Sequence, residues 1–367
     1  MSSDTVYSLE GKNLKLTSRE DIEPHIAEIN AIQDLQEIHL GGNTLGVGAC
    51  QALGEALKDK KNLRVSATFI SDLLQTMLTL FFIIQIANFA DIFTGRLISE
   101  IPDALRALCD SLIEHESLVE INLSDNAFGG RSAEPMVNFL THNHHFSVLK
   151  LNNNGLGIQG GKIIATALIE AAEELKKLGL PSKLKTVICG RNRLEDGSAP
   201  VWAKAYAAHG NLEEVRMFQN GIRMDGLIAI TQGLASCPNL KVLDLQDNTA
   251  TIRGSRGIAA CLPKWNQLEV LNLSDCLLKP KGGYLVIDAL GKGANSNLKT
   301  LQLQYCDLDR KALERLASVI DGEAIKGLEK LDINGNWADE EDECIEKIKK
   351  GLEKHGHADA LDELDEM

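Results

Sequence analysis

Gly155, Gly157 and Gly160 stand in G-x-G-x-x-G order and run into Gly161-Lys162, a spacing with which backbone can wrap a nucleotide phosphate. A similar turn returns at Asn220-Gly221-Ile222, so the glycines read as tight turns between strand and helix, and no nucleotide binding is expected of this chain. Histidines gather at His142, His144 and His145 and again at His355 and His357, but no cysteine or carboxylate stands beside them at ligand spacing. No metal site is expected. No Ser/His/Asp or Cys/His set lies in one local motif and no carboxylate pair stands out, so nothing argues for catalysis by this chain alone or for a cofactor of its own. Eight cysteines without a CxxC pair, behind the polar start Met1-Ser2-Ser3-Asp4, read as reduced, mostly buried thiols of a cytosolic protein.

The elements that would position any functional residue come from a repeat. Across 367 residues the pattern L-x-x-L-x-L-x-x-N/C-x-L returns, first at Leu35, Ile38, Leu40, Asn43 and Leu45. Later copies start at Leu118, Phe146, Leu184, Leu212, Leu240, Leu268, Leu298 and Leu328, with 28 residues between successive starts from Leu184 to Leu268. Each L-x-L predicts a short strand of a parallel sheet, with the leucines turned inward and the residue between them on the concave face. The ninth residue, Asn or Cys, is expected to turn inward and bond the backbone of the turn; Asn154, Cys276 and Cys306 fill this slot. Between strands, runs such as Gly160 to Leu168 carry apolar residues at helical spacing. The fold class expected is therefore an α/β leucine-rich-repeat solenoid, a horseshoe with a parallel sheet inside and helices outside. Its about ten or eleven repeats would fill residues 1–355, with the Val6 to Leu16 region and the Asp342 to Leu352 segment capping the ends.

With 44% hydrophobic residues the chain has ample core, and a formal charge of −14 opposes nucleic acid and anionic membranes as partners. Residues 356–367, ending Asp362-Glu363-Leu364-Asp365-Glu366-Met367, read as the start of a disordered acidic tail.

One copy is broken. A start at Leu63 follows Leu35 by one period, but Ser66, Thr68 and Ser71 then occupy slots that should be apolar or Asn, and an apolar run from Met77 to Ala87 follows. That run is short for a membrane span and is broken by Thr79 and Gln85. An extra short repeat is a second reading. The third takes residues 65–85 as an insert: removing Val65 to Gln85 would join Leu63 to Ala87, Phe89 and Ile92 in register. Codons for Val65-Ser66, Leu78-Thr79 and Gln85 can carry donor, branch and acceptor signals, so a retained, translated intron is the favoured hypothesis. On it, the segment would either bulge out, exposing Phe81, Phe82, Ile83 and Ile84, or displace the native strand. Genomic DNA lacking those signals would sink it.

The turns carry more specific strings. Asp91-Ile92-Phe93-Thr94-Gly95-Arg96, Leu123-Ser124-Asp125-Asn126-Ala127-Phe128-Gly129, Asn153-Asn154-Gly155-Leu156-Gly157, Ile188-Cys189-Gly190-Arg191-Asn192-Arg193-Leu194 and Leu243-Asp244-Leu245-Gln246-Asp247-Asn248 together resemble the fungal Ran GTPase-activating protein family. The resemblance covers nearly all of the chain outside the suspected insert.

It implies a non-enzymatic activator that grips the GTPase Ran in its GTP state with one rim, in trans, as part of nucleocytoplasmic transport. GTP and magnesium would be carried by Ran, whose own glutamine orients the attacking water. The matching rim asparagine, Asn153, would position that glutamine, and Arg96 would stabilise phosphate charge or organise the interface. Asp125, Asn126, Arg191 and Arg193 would be docking residues. Where the family commonly has a lysine two positions past that arginine, this chain has Ile98. The resemblance also implies a cytoplasmic monomer, extending to the cytosolic face of the nuclear envelope, with a Ran-binding protein as accessory partner. The alternative from a different class is a non-catalytic repeat scaffold or inhibitor resembling ribonuclease inhibitor.

Overall fold

The computed structural model describes residues 5–32, 34–58 and 84–364. Contacts gather into two compact units, Met1–Asn154 and Gly155–Met367, and each is taken by itself.

In the first unit the chain runs β1 (Val6–Ser8), β2 (Lys15–Leu16), α1 (Arg19–Ala31), β3 (Glu37–His39), β4 (Thr44–Leu45), α2 (Val47–Lys58), β5 (Ile86–Asn88), α3 (Ile101–Ser111), β6 (Glu120–Asn122), α4 (Val137–His142) and β7 (Val148–Lys150). β1, β3, β5, β6 and β7 form a parallel ladder in which Tyr7, Ile38, Ala87, Ile121 and Leu149 align across neighbouring strands. These central residues are buried while those before and after them are not fully covered, the period of two expected of a sheet with one packed face. Helix α1 starts from a reciprocal cap: the Ser18 hydroxyl accepts the Asp21 amide, and the Asp21 carboxylate accepts the Ser18 amide.

β5 shows how this chain, with the segment present, fills the broken repeat. It pairs directly with β3, so the ladder has no place for an additional repeat between them. The slot three residues before Ala87, assigned to Leu63 by the splice reading, is filled by Ile84, which is 1% exposed rather than bulging outward. Gln85 accepts the Val119 and Glu120 amides through its carbonyl and donates its own amide to Gln36. Ile84 and Gln85 therefore belong to the repeat. Leu63, Phe81, Phe82, Ile83 and the rest of the suspected insert up to residue 83 lie outside the described residues. Ala87, Phe89 and Ile92 are buried as expected.

In the second unit α5 (Gly157–Leu178), β8 (Thr186–Ile188), α6 (Glu195–His209), β9 (Glu214–Arg216), α7 (Met224–Leu234), β10 (Val242–Asp244), α8 (Thr251–Cys261), β11 (Val270–Asn272), α9 (Lys279–Leu290), β12 (Thr300–Gln302), α10 (Arg310–Asp321), β13 (Lys330–Asp332) and α11 (Glu343–Lys354) alternate. Val187, Val215, Leu243, Leu271, Leu301 and Leu331 align along β8 to β13. Each helix packs against the next, closely enough at α6 and α7 that a Cβ on Gly233 would lie 2.3 Å from the Ala203 carbonyl oxygen. This is the expected α/β leucine-rich-repeat solenoid architecture.

The acidic end departs from the expected solvated tail. The Leu331 amide donates to Ala360, Asp362 donates back to Leu331, and Lys330 meets the Asp362 carboxylate at 3.2 Å. Residues 360–362 thus cover the open edge of β13, where unpaired backbone groups would otherwise face solvent. No helix among the described residues is long and apolar enough to cross a membrane.

Candidate functional site

The turn that leaves each strand has a fixed backbone shape. In the first unit the eighth residue of the repeat lies in the left-handed region at Gly42, Asp91, Asp125 and Asn153, and in the second at Arg191, Gln219, Asp247, Asp275, Tyr305 and Gly335. The reversal lets the ninth residue point into the core while the eighth stays at the surface. Asn and Asp tolerate this conformation, whereas Arg191, Gln219 and Tyr305 each bear a cost of roughly 1 kcal/mol that glycine would avoid.

The ninth residues form a ladder of side-chain amides. Asn154 is fully buried; its nitrogen donates to the carbonyls of Leu123 and Leu151, and its oxygen accepts the Asn126 amide. Asn126 does the same one repeat earlier, donating to Phe89 and Leu123 and accepting from Ile92. At 4% exposure, with both ends of its amide engaged, Asn126 is a spine residue, which corrects the docking role expected for it. In the second unit Asn220 and Asn248 repeat the arrangement, and Cys276 and Cys306 replace it with thiols that donate to Leu245 and Leu273. Burial pushes the Cys306 thiol up to about 12, so it is held as an unreactive S–H.

Asn153 sits beside this ladder but faces outward, half-buried. Its amide nitrogen donates to the Asp125 carboxylate at 3.0 Å, and Asp125 is itself exposed at the same position of the preceding repeat. The carboxylate fixes the amide and takes one of its two N–H donors, leaving the carbonyl oxygen and the second N–H to offer a partner.

Arg96 lies in the first unit too, but its guanidinium folds back onto the chain. One terminal nitrogen donates to the Thr17 hydroxyl at 2.7 Å and lies 3.5 Å from the Thr44 carbonyl, while Nε is buried without a hydrogen-bond partner. The turn itself closes through the Arg96 amide on Phe93 and the Thr94 hydroxyl on Asp91. Leu97 and Ile98 beside it are exposed. Thr17, which sequence reasoning missed, is thus part of the Arg96 environment.

In the second unit Arg191 and Arg193 are exposed, and neither forms an ion pair among the described residues. Arg193 lines an open cleft of about 630 Å³ with Glu195, Asp196, Gln219 and Arg223. Arg223 was missed as well; the signal available was its place just beyond the Asn220-Gly221-Ile222 turn. Gly155 and Gly157 take left-handed turns, but Gly160 and Gly161 lie inside α5, so the glycine string leaves no loop to wrap a phosphate. Among the described residues no group of His, Cys, Asp and Glu could hold a metal ion.

Comparison with known proteins supplies the remaining context. Residues 294–317 match the family described as Leucine Rich repeat. The chain is 36% identical over 350 residues to Ran GTPase-activating protein 1 of Saccharomyces cerevisiae, covering 94% of this chain and 82% of that protein. It is 39% identical over 364 residues to Ran GTPase-activating protein 1 of Xenopus laevis, covering 98% of this chain and 58% of that longer protein. Among solved structures, an internalin from Listeria monocytogenes aligns over 93% of this chain and 83% of its own, at 14% identity and a TM-score of 0.41.

Proposed function

Because the chain belongs to the Ran GTPase-activating protein family, we propose that it stimulates GTP hydrolysis by Ran in trans, with Asn153 as the residue that acts on the GTPase's catalytic machinery. The observation that carries the assignment is the placement of Asn153: a left-handed turn holds it at the surface, and Asp125 holds its amide nitrogen. The carbonyl oxygen of Asn153 accepts an N–H from the side-chain amide of Ran's glutamine. That bond fixes the glutamine so that its own carbonyl accepts a proton of the attacking water, aligning the water with the γ-phosphate. Ran brings the GTP and the magnesium ion; this chain contributes orientation and is unchanged by the reaction.

Arg96 has a different part. Tied to Thr17, its guanidinium organises the 91–96 turn rather than entering the phosphate site, and Leu97 and Ile98 give that turn an apolar surface for docking. Asp125 positions Asn153, and Arg191 and Arg193 are docking cations of the second unit. The activator works as a cytoplasmic monomer on the GTP state of Ran, where a Ran-binding protein can join the complex, and so serves nucleocytoplasmic transport.

The test separates chemistry from docking. In single-turnover hydrolysis at saturating activator, Asn153→Ala is expected to lower the maximal stimulated rate by roughly 100-fold or more, with little change in the concentration needed for half-maximal effect. Full stimulation reached at higher concentration would assign Asn153 to docking instead.

A further inference from the structure

The second unit carries an exposed aromatic platform that the proposed chemistry does not use. Tyr305 is 53% exposed, Trp337 65% and Leu277 40%, the last two at the tenth position of their repeats. The fold holds them in place. The Tyr305 ring lies against Gly335, where a Cβ would come within 2.2 Å of it, so only glycine at the eighth position of the next repeat admits the ring there. The indole N–H of Trp337 donates to the Asp307 carboxylate at 2.5 Å, and its backbone amide donates to Leu308. Tyr305 and Asp307 both lie in the left-handed region, at φ 52° and 58°.

Carboxylates border these rings. Asp275 stands at the eighth position one repeat before Tyr305, and Asp247 one repeat before that. Burial, and then the charge of Asp247, hold the Asp275 carboxyl above the usual range, so an arriving cation would relieve a repulsion already present. Lys279, on the same turn as Leu277, is exposed and forms no ion pair among the described residues. The surface therefore combines flat apolar rings with negative charge not neutralised by its neighbour.

We propose that Tyr305 and Trp337, flanked by Asp275 and Asp307, form a docking platform for an arginine-bearing extended segment of a partner protein. A guanidinium suits it better than an ammonium, because its plane stacks on an aromatic face while its edge donates to a carboxylate. The proposal does not depend on the assignment of Asn153.

The molecule supplies its own probe. Trp202 and Trp265 are fully buried, so of the three tryptophans Trp337 alone meets solvent directly. Titration with a nona-arginine peptide is expected to shift and quench Trp337 emission, and nona-lysine should bind several-fold more weakly. By anisotropy of labelled nona-arginine, Trp337→Ala and Tyr305→Ala should each weaken binding about tenfold without any change in net charge, and Trp337→Phe should recover most of it. Unchanged affinity in Trp337→Ala would overturn the proposal and assign the binding to the general acidity of the chain. Binding with no response in Trp337 emission would also overturn it. Because Trp337 is exposed and packs little, its removal reads binding even if Tyr305→Ala disturbs the fold.

Discussion

Asn126 and Asn153 are the same residue type one register apart, and that step decides everything about them. Asn126, in the ninth position, satisfies four backbone groups in two repeats; Asn153, in the eighth, touches one neighbouring carboxylate and the surface. Removing the first should leave buried donors and acceptors unpaired. Asn126→Ala is accordingly expected to cost about 2 kcal/mol in denaturant unfolding, while Asn153→Ala stays within about 0.5 kcal/mol of the parent. Equal losses would mean that the rim asparagine is also structural. The distinction was readable for Asn154, whose ninth-slot role follows from the period alone, and the same count places Asn126 in the ladder. The fold of Arg96 was not readable in this way, because its partner Thr17 is 79 residues away and belongs to no repeat position shared with it.

At the scale of elements, the repeat period located the strands because a three-residue strand with one buried centre leaves a strong imprint on sequence. It failed where two apolar residues could claim one slot. Leu63 and Ile84 each precede a plausible continuation, and only strand register, with Ala87 beside Ile38, selects Ile84. In this chain Ile84 and Gln85 serve the ladder, Ile84 by burial and Gln85 by its backbone bonds. If so, Ile84→Ala should destabilise the protein by about 2–4 kcal/mol, as for other buried aliphatic truncations, measured by urea unfolding. A change below about 0.5 kcal/mol would return the slot to Leu63. The acidic end shows a second limit of pattern reading. Charge predicted solvation for residues 356–367, yet an open sheet edge at β13 recruits residues 360–362 through their backbone, and backbone pairing leaves no trace in charge pattern.

For the whole molecule, the net charge of −14 opposes nucleic acid as a partner and the repeat gives the architecture, but neither one specifies a GTPase. That came from the turns, where packing leaves residue choice free and where Asn153, Arg96 and Arg191 were singled out. The fold was legible because the core repeats; the chemistry was legible only through family resemblance, since on the proposed reading the reacting groups belong to Ran. The decisive measurement is the rate of GTP hydrolysis by Ran in a single turnover, with and without substoichiometric amounts of this chain. Acceleration of roughly 1,000-fold or more, cut by roughly 100-fold or more in Asn153→Ala, is the expected result. Binding of GTP-loaded Ran without acceleration would contradict it and make the chain a repeat scaffold, and stimulation undiminished in Asn153→Ala would contradict the role given to that residue.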